Sequence, residues 1–253
     1  MSIHEDRASF DRFAAAWARL DVAGQGPAGE VIEATAQRLA ALRADLRDAR
    51  AGLDAQARAS ATAVAAGELS IAQALAAEAA MGALDPRQAS RRALDLHDAA
   101  AGRVLAGARA RLREQGPALH ALLSAAHSAI VDSAERLAPR VEGITDDGAA
   151  MRSDAKSREA WASLATLSDR RAAVLEVTGD LRRLQVLDDV AEATDTERLF
   201  VRPDLAPSPG ELARLHPAAA LVAVVTSGAG PAVLDVDAVR ANVEERERRG
   251  VKV

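Results

Sequence analysis

Apolar residues recur at steps of three and four along most of this chain, the spacing of one face of an α-helix. Phe10, Phe13, Trp17 and Leu20 share such a face and predict a first helix from about Asp6 to Leu20. From Ala28 to about Ala66, Ile32, Leu39, Leu46 and Leu53 stand seven apart. Thr35, Leu42, Ala49 and Gln56 complete a heptad with one strong and one weak row. Arg and Asp alternate on the other faces of "RLAALRADLRDARAGLDAQAR", as on a solvated coiled-coil flank. Gly67 suits a stop, and Ser70 a cap for a shorter helix to about Leu84.

Asp85, Pro86 and Gln88 together make the clearest helix start, with Pro86 in the first turn and Gln88 placed to close a capping box. That helix is expected to reach about Gln115. Leu105, Leu112 and Leu119 repeat by seven; the register then jumps by four, and Leu123, Ile130, Leu137 and Ile144 resume it. The jump follows Gly116-Pro117, where a kink or a full break is expected because proline removes one helical hydrogen bond and clashes with the preceding turn. Gly143 to Ser157 reads as a loop. A helix from about Asp154 to Thr194 follows, with Trp161, Leu164, Leu167, Val174, Val177, Leu181 and Leu184 on its apolar face and Gly179 as a bend.

After Phe200 three prolines in "VRPDLAPSPGE" enforce extended backbone for part of its length, and Ser208 begins another helix with Glu211 placed to close a capping box. The stretch from Pro217 to Leu234 reads either as a short buried helix or as two short strands around "SGAGP"; helix is favoured. A last helix is capped by Asp235 and carries Val236, Val239 and Val243, with Arg248, Arg249 and Gly250 at its end.

Composition sharpens this picture. Alanine makes up about a quarter of the 253 residues and aromatics only 2%. Alanine favours helix but brings little area to bury, so such a chain forms helices easily and packs a thin core. The expectation is an all-α protein: an elongated bundle of long antiparallel helices with coiled-coil character and a small C-terminal helical appendage. Its expected divisions are an N-terminal amphipathic helix (1–24), a long bundle (25–200) and a small C-terminal region (201–253). The net charge of −5, with acids spread along the chain, argues against nucleic acid as the main partner. There is no cysteine and therefore no thiolate chemistry. The N-terminus has acids where a signal peptide is basic and apolar, and the longest apolar run, Ala218 to Val225, is far shorter than the ~20 residues of a membrane span. A cytoplasmic protein without membrane contact is expected.

Chemistry is hard to find. Gly24, Gly26 and Gly29 spell the dinucleotide-binding G-x-G-x-x-G, yet helix-like sequence precedes them, Pro27 sits inside, and no strand–helix–strand pattern follows. They read instead as a hinge, with Pro27 in the first turn of the next helix. "TSGAGP" has Pro231 and Ala232 where a phosphate loop needs lysine and a hydroxyl. His120 and His127 share a helix face but stand roughly 10 Å apart along the axis. With His4, His97 and His216 they read as structural, and no E-x-x-H pair points to a metal. Asp95 and Asp98 beside His97 read as a solvated face. Asp188-Asp189 is ill placed for joint work, because neighbours on a helix diverge. Arg91-Arg92, Arg109, Arg111, Arg113 and Arg182-Arg183 are the densest basic spots and suit surface ion pairing.

No catalytic, cofactor-binding or metal residue is assigned, and no cofactor is expected. The interaction candidates are Phe10, Phe13, Trp17 and Leu20, whose face suits capping the chain's own bundle or docking in a partner's groove. The expected function is a non-enzymatic structural or assembly protein acting through protein partners or self-association: a scaffold, spacer or adaptor, with a phage or phage-like particle among the settings that fit. The alternative is a helical regulatory or sensor domain that binds a small ligand between helices.

Overall fold

A computed structural model describes residues 3–20, 26–65, 68, 70, 72–73 and 86–250. The described residues are helical almost throughout and hold no β-strand, only an antiparallel bridge between Phe200 and Pro231. The helices are α1 (Ile3–Ala18), α2 (Pro27–Ala65), α3 (Pro86–Glu114), α4 (Gly116–Leu137), α5 (Asp147–Arg152), α6 (Ala155–Arg183), α7 (Asp195–Leu199), α8 (Pro209–Leu212), α9 (Pro217–Thr226) and α10 (Val236–Arg248), with 3₁₀ turns at Ala138–Val141 and Pro203–Leu205. The chain divides into two compact units, one of residues 1–8 and 30–108, the other of residues 9–29 and 109–253.

In the second unit α6 is central and packs on α4 and α9. The buried face of α4 carries the resumed heptad: Leu119, Leu123, His127, Ile130, Val131 and Ala134 are all buried. Trp161 and Leu164 of α6 and Leu221 and Val225 of α9 join Val131 and Ala134 in one core. Val174, Val177 and Leu181 continue the buried face of α6. A smaller cluster sets Ala193 against Val239 and Val243 of α10, and another sets Phe200 against Val224 and Ala229.

The register jump coincides with a break. Helix α3 stops at Glu114, Gln115 adopts φ −93° and ψ 0°, and α4 begins at Gly116 with Pro117 in its first turn. Gly116 allows a close approach there: a Cβ would lie 3.0 Å from the Val186 carbonyl oxygen.

The segment from Gly143 to Ser157 is not all loop. Asp146 caps the short α5 by accepting the Ala149 N–H at 2.8 Å. Trp161 Nε1 then donates to Asp147 Oδ1 at 2.8 Å, and the Trp161 ring stacks on His216 at 4.9 Å between centroids. His216 in turn caps α9, its Nδ1 accepting the Ala218 N–H at 3.3 Å. The two contacts of Trp161 join separate elements, which local turn signals do not carry.

The long helix from Asp154 ends at Arg183, not at Thr194. Val186 N–H bonds to the Leu181 carbonyl and Gln185 N–H to the Arg182 carbonyl, both at 2.8 Å. Gln185 has φ +57°. This is a Schellman closure built on glutamine in place of the usual glycine, with Val186 and Leu181 both buried beside it. Thr194, the expected last residue of that helix, is the cap of α7 and forms a reciprocal capping box with Glu197. The capping box of Ser208 and Glu211 is present but opens a single turn, α8. Pro217–Thr226 is helix, and Asp235 caps α10 through the Ala238 N–H at 2.8 Å.

In the first unit, Ser70 and Gln73 cap each other reciprocally: Ser70 Oγ accepts from Gln73 N, and Gln73 Oε1 from Ser70 N. The rest of the helix expected to Leu84 lies outside the described residues, as do Asp85, Gly67 and Gly24.

Candidate functional site

The four interaction candidates Phe10, Phe13, Trp17 and Leu20 are all buried. Phe13 packs edge-on to Phe10 and tilted against Trp17, with centroids 6.1 and 6.0 Å apart. Gly26, the middle glycine of the G-x-G-x-x-G, is where the Trp17 ring needs room: a Cβ there would lie 2.7 Å from Trp17 Cζ2 and 3.6 Å from Leu122 of α4. Arg19, just past α1, pairs with Glu176 of α6. A partner reaches this aromatic face only if α1 comes away from its place in the fold.

The heptad of α2 behaves differently along its length. Thr35 and Leu39 are buried, as is Val31 beside the rows, while Ile32 is half-buried. Beyond Leu39 no described side chain of α2 is buried: Leu42 and Leu46 are half-buried and Ala49 is exposed. The side chains of Leu53 and Gln56 lie outside those described. Helix α3 shows the mirror pattern. Ala101, Leu105, Ala108 and Leu112 form a buried stripe at steps of four and three. N-terminal to Ala101 the stripe continues through half-buried Asp98 and His97 to exposed Leu94, and Leu96 is 64% exposed. Both seams therefore lose their cover toward residues 66–85.

The polar candidates separate in the structure. His97 Nδ1 lies 3.0 Å from Asp98 Oδ1, while Asp95 is solvated. The side chain of His4 is outside those described. His127 is fully buried between α4 and α6, where its Nε2 accepts from Arg171 Nε at 3.2 Å. That places the ring proton on Nδ1, which is buried with no partner among the described residues. Burial first, and the Arg171 charge second, hold the His127 pKa down at about 4, so the ring is neutral at pH 7. Asp180 is also buried; burial raises its pKa, and the adjacent Arg183 guanidinium opposes the shift. Among the described residues, no three His, Asp or Glu side chains converge as metal ligands would. No described helix is long and apolar enough to cross a membrane.

Two cavities lie in the second unit. One, of about 590 Å³, is lined by Thr194, Glu197, Val201, Arg202, Asn242 and Arg246 among others. Its inner charge is matched: Glu197 Oε2 accepts from Thr194 and from Arg246 at 3.0 Å, and Arg249 bonds Glu245 at 2.7 Å. The other, of about 470 Å³, opens at the break between α3 and α4 and is lined by Arg113, Gly116, His120, Arg182 and Leu234 among others. Sequence spacing has no means of finding it, because its arginines come from helices far apart in the chain and meet only through the Schellman turn after α6. In the first cavity the Thr194 hydroxyl also donates to Glu197 Oε2, at 2.9 Å, as part of the capping box of α7. The chain matches no protein-family model, no curated protein and no solved structure.

Proposed function

We propose that this chain is a non-enzymatic structural or assembly protein, and that the uncovered seam of α2 pairs with the same seam of a second copy. The observation that carries the reading is the contrast within one helix: the heptad spacing persists past Leu39 while burial does not. Half-buried leucines at heptad spacing on an otherwise solvated helix are suited to an antiparallel coiled coil. Arg43, Asp45, Arg47 and Asp48 around the seam are all exposed, so the leucines form a narrow apolar strip on a charged helix. In this reading the elongated, coiled-coil character resides in α2 and α3, the assembly forms in the cytoplasm, and neither nucleic acid nor membrane is the partner.

The test is sedimentation equilibrium of the full chain, with Leu46→Glu beside it. Self-association in the parent is expected, and the variant shifts its midpoint at least about tenfold to higher concentration, a loss of ~1.4 kcal/mol. Circular dichroism checks that the variant keeps its helices. A parent that stays monomeric at every concentration, or a variant that associates equally well, overturns the reading.

A further inference from the structure

The cavity at the break between α3 and α4 combines positive groups from three elements. Arg113 comes from the last turn of α3, and its Nε donates to the Gln185 carbonyl at 2.8 Å, which holds the guanidinium at the cavity wall. Gly116 opens α4, a 22-residue helix with no side-chain cap at its N-terminus; Pro117 has no N–H and the Leu119 N–H already bonds the Gln115 carbonyl at 2.9 Å, so what α4 brings to this wall is the Gly116 backbone at the positive end of its dipole. Arg182 comes from the last turn of α6 and is nearly buried, its side chain 11% exposed.

Arg182 is the telling member. A guanidinium withdrawn from water needs an anion or well-formed hydrogen bonds to offset the lost hydration. Its nearest carboxylate, Asp189, stands 4.0 Å away. That carboxylate is already held by Arg198 in a two-point contact at 2.9 and 3.1 Å. A further contact of Arg182, to the Leu234 carbonyl, is long at 3.4 Å. His120, also on the wall, has its Nε2 buried with no partner among the described residues. Two acids line the cavity as well. Asp235 is spent on capping α10, and Asp188 is exposed. Neither one bonds Arg182. The remaining wall is apolar, formed by Pro117, Val186, Leu187, Leu234 and Val236.

We infer that this cavity binds a small organic phosphate. The phosphate oxygens take the forks of Arg182 and Arg113 beside the positive end of α4, a geometry guanidinium favours over ammonium. The organic body lies on the apolar wall, and about 470 Å³ is room for more than the inorganic ion. The inference is independent of self-association: a monomer binds equally well.

The experiment is calorimetric titration of the full chain with phenyl phosphate, with inorganic phosphate and phenol as comparisons. Saturable binding of phenyl phosphate is expected, weaker binding of inorganic phosphate, and none of phenol. Added salt weakens the binding. Arg113→Met and Arg182→Met each raise the Kd at least about tenfold. Arg113 is exposed, so its variant carries the test even if Arg182→Met fails to fold. No saturable binding of phenyl phosphate, or binding unchanged in Arg113→Met, overturns the inference.

Discussion

His127 shows how one side chain sets the acid limit of this fold. Its folded pKa of about 4 lies below the ordinary 6.5, so the unfolded chain binds the extra proton first as pH falls. Its contribution is complete above about pH 6.5 and is lost as pH drops toward 4, amounting to about 3 kcal/mol. Asp180 acts in the opposite direction: its raised pKa means that the folded form gains a proton first, so its share of stability increases as pH falls. Denaturant unfolding of the parent and of His127→Leu across that window separates the two. The parent is expected to lose stability on acidification and the variant to lose much less; equal slopes would sink this account. None of this is legible in the sequence. His127 stands on the apolar stripe of α4, which marks it as structural, but its partner Arg171 is 44 residues away and only packing brings them together.

At the scale of elements, several helix starts are readable, while the starts at Asp146 and Thr194 and the end of α6 are not. Asp154, Ser208 and Asp235 announce their helices because a short acceptor side chain followed three residues later by a free N–H is a local device. The end of α6 is hidden because Gln185 does by tertiary support what glycine does by itself. A non-glycine residue at φ +57° is held against a steric penalty of about 1–2 kcal/mol. Gln185→Gly is therefore expected to stabilise the second unit by roughly 1 kcal/mol, less than the full penalty because glycine also loosens the unfolded chain. Gly26→Ala makes the contrasting case: its Cβ meets the Trp17 ring, and a loss of roughly 1–3 kcal/mol is expected. Thermal or denaturant melts of the two variants should move in opposite directions. A neutral Gly26→Ala would mean that the Trp17 ring has room to shift.

At the scale of the whole molecule, the all-α class follows from periodicity and alanine content, since both act within a single helix. The distribution of the core does not follow. Heptad rows of similar appearance predict equal burial, yet the seam of α4 is packed and that of α2 is covered only as far as Leu39. Spacing shows which face is apolar but not what covers it. Local stability should differ accordingly, because opening costs least where few apolar groups are buried. Hydrogen exchange is expected to be fast in α2 beyond Leu39 and slow in α4 and α6. Raising the protein concentration should slow it in α2 alone. Uniform protection across these helices would contradict the uneven core.

The second unit draws its helices from both ends of the chain, and this has a consequence during synthesis. The aromatic face of α1 is made well before α6; Arg19, just past α1, and its partner Glu176 on α6 are 157 residues apart. Closing so long a loop costs entropy that no local contact offsets in advance, and contacts between such distant residues slow the search for the native arrangement. A nascent chain leaving the ribosome therefore presents Phe10, Phe13 and Trp17 before the later helices of their unit are made. That places a demand for chaperone protection on the segment that carries α1.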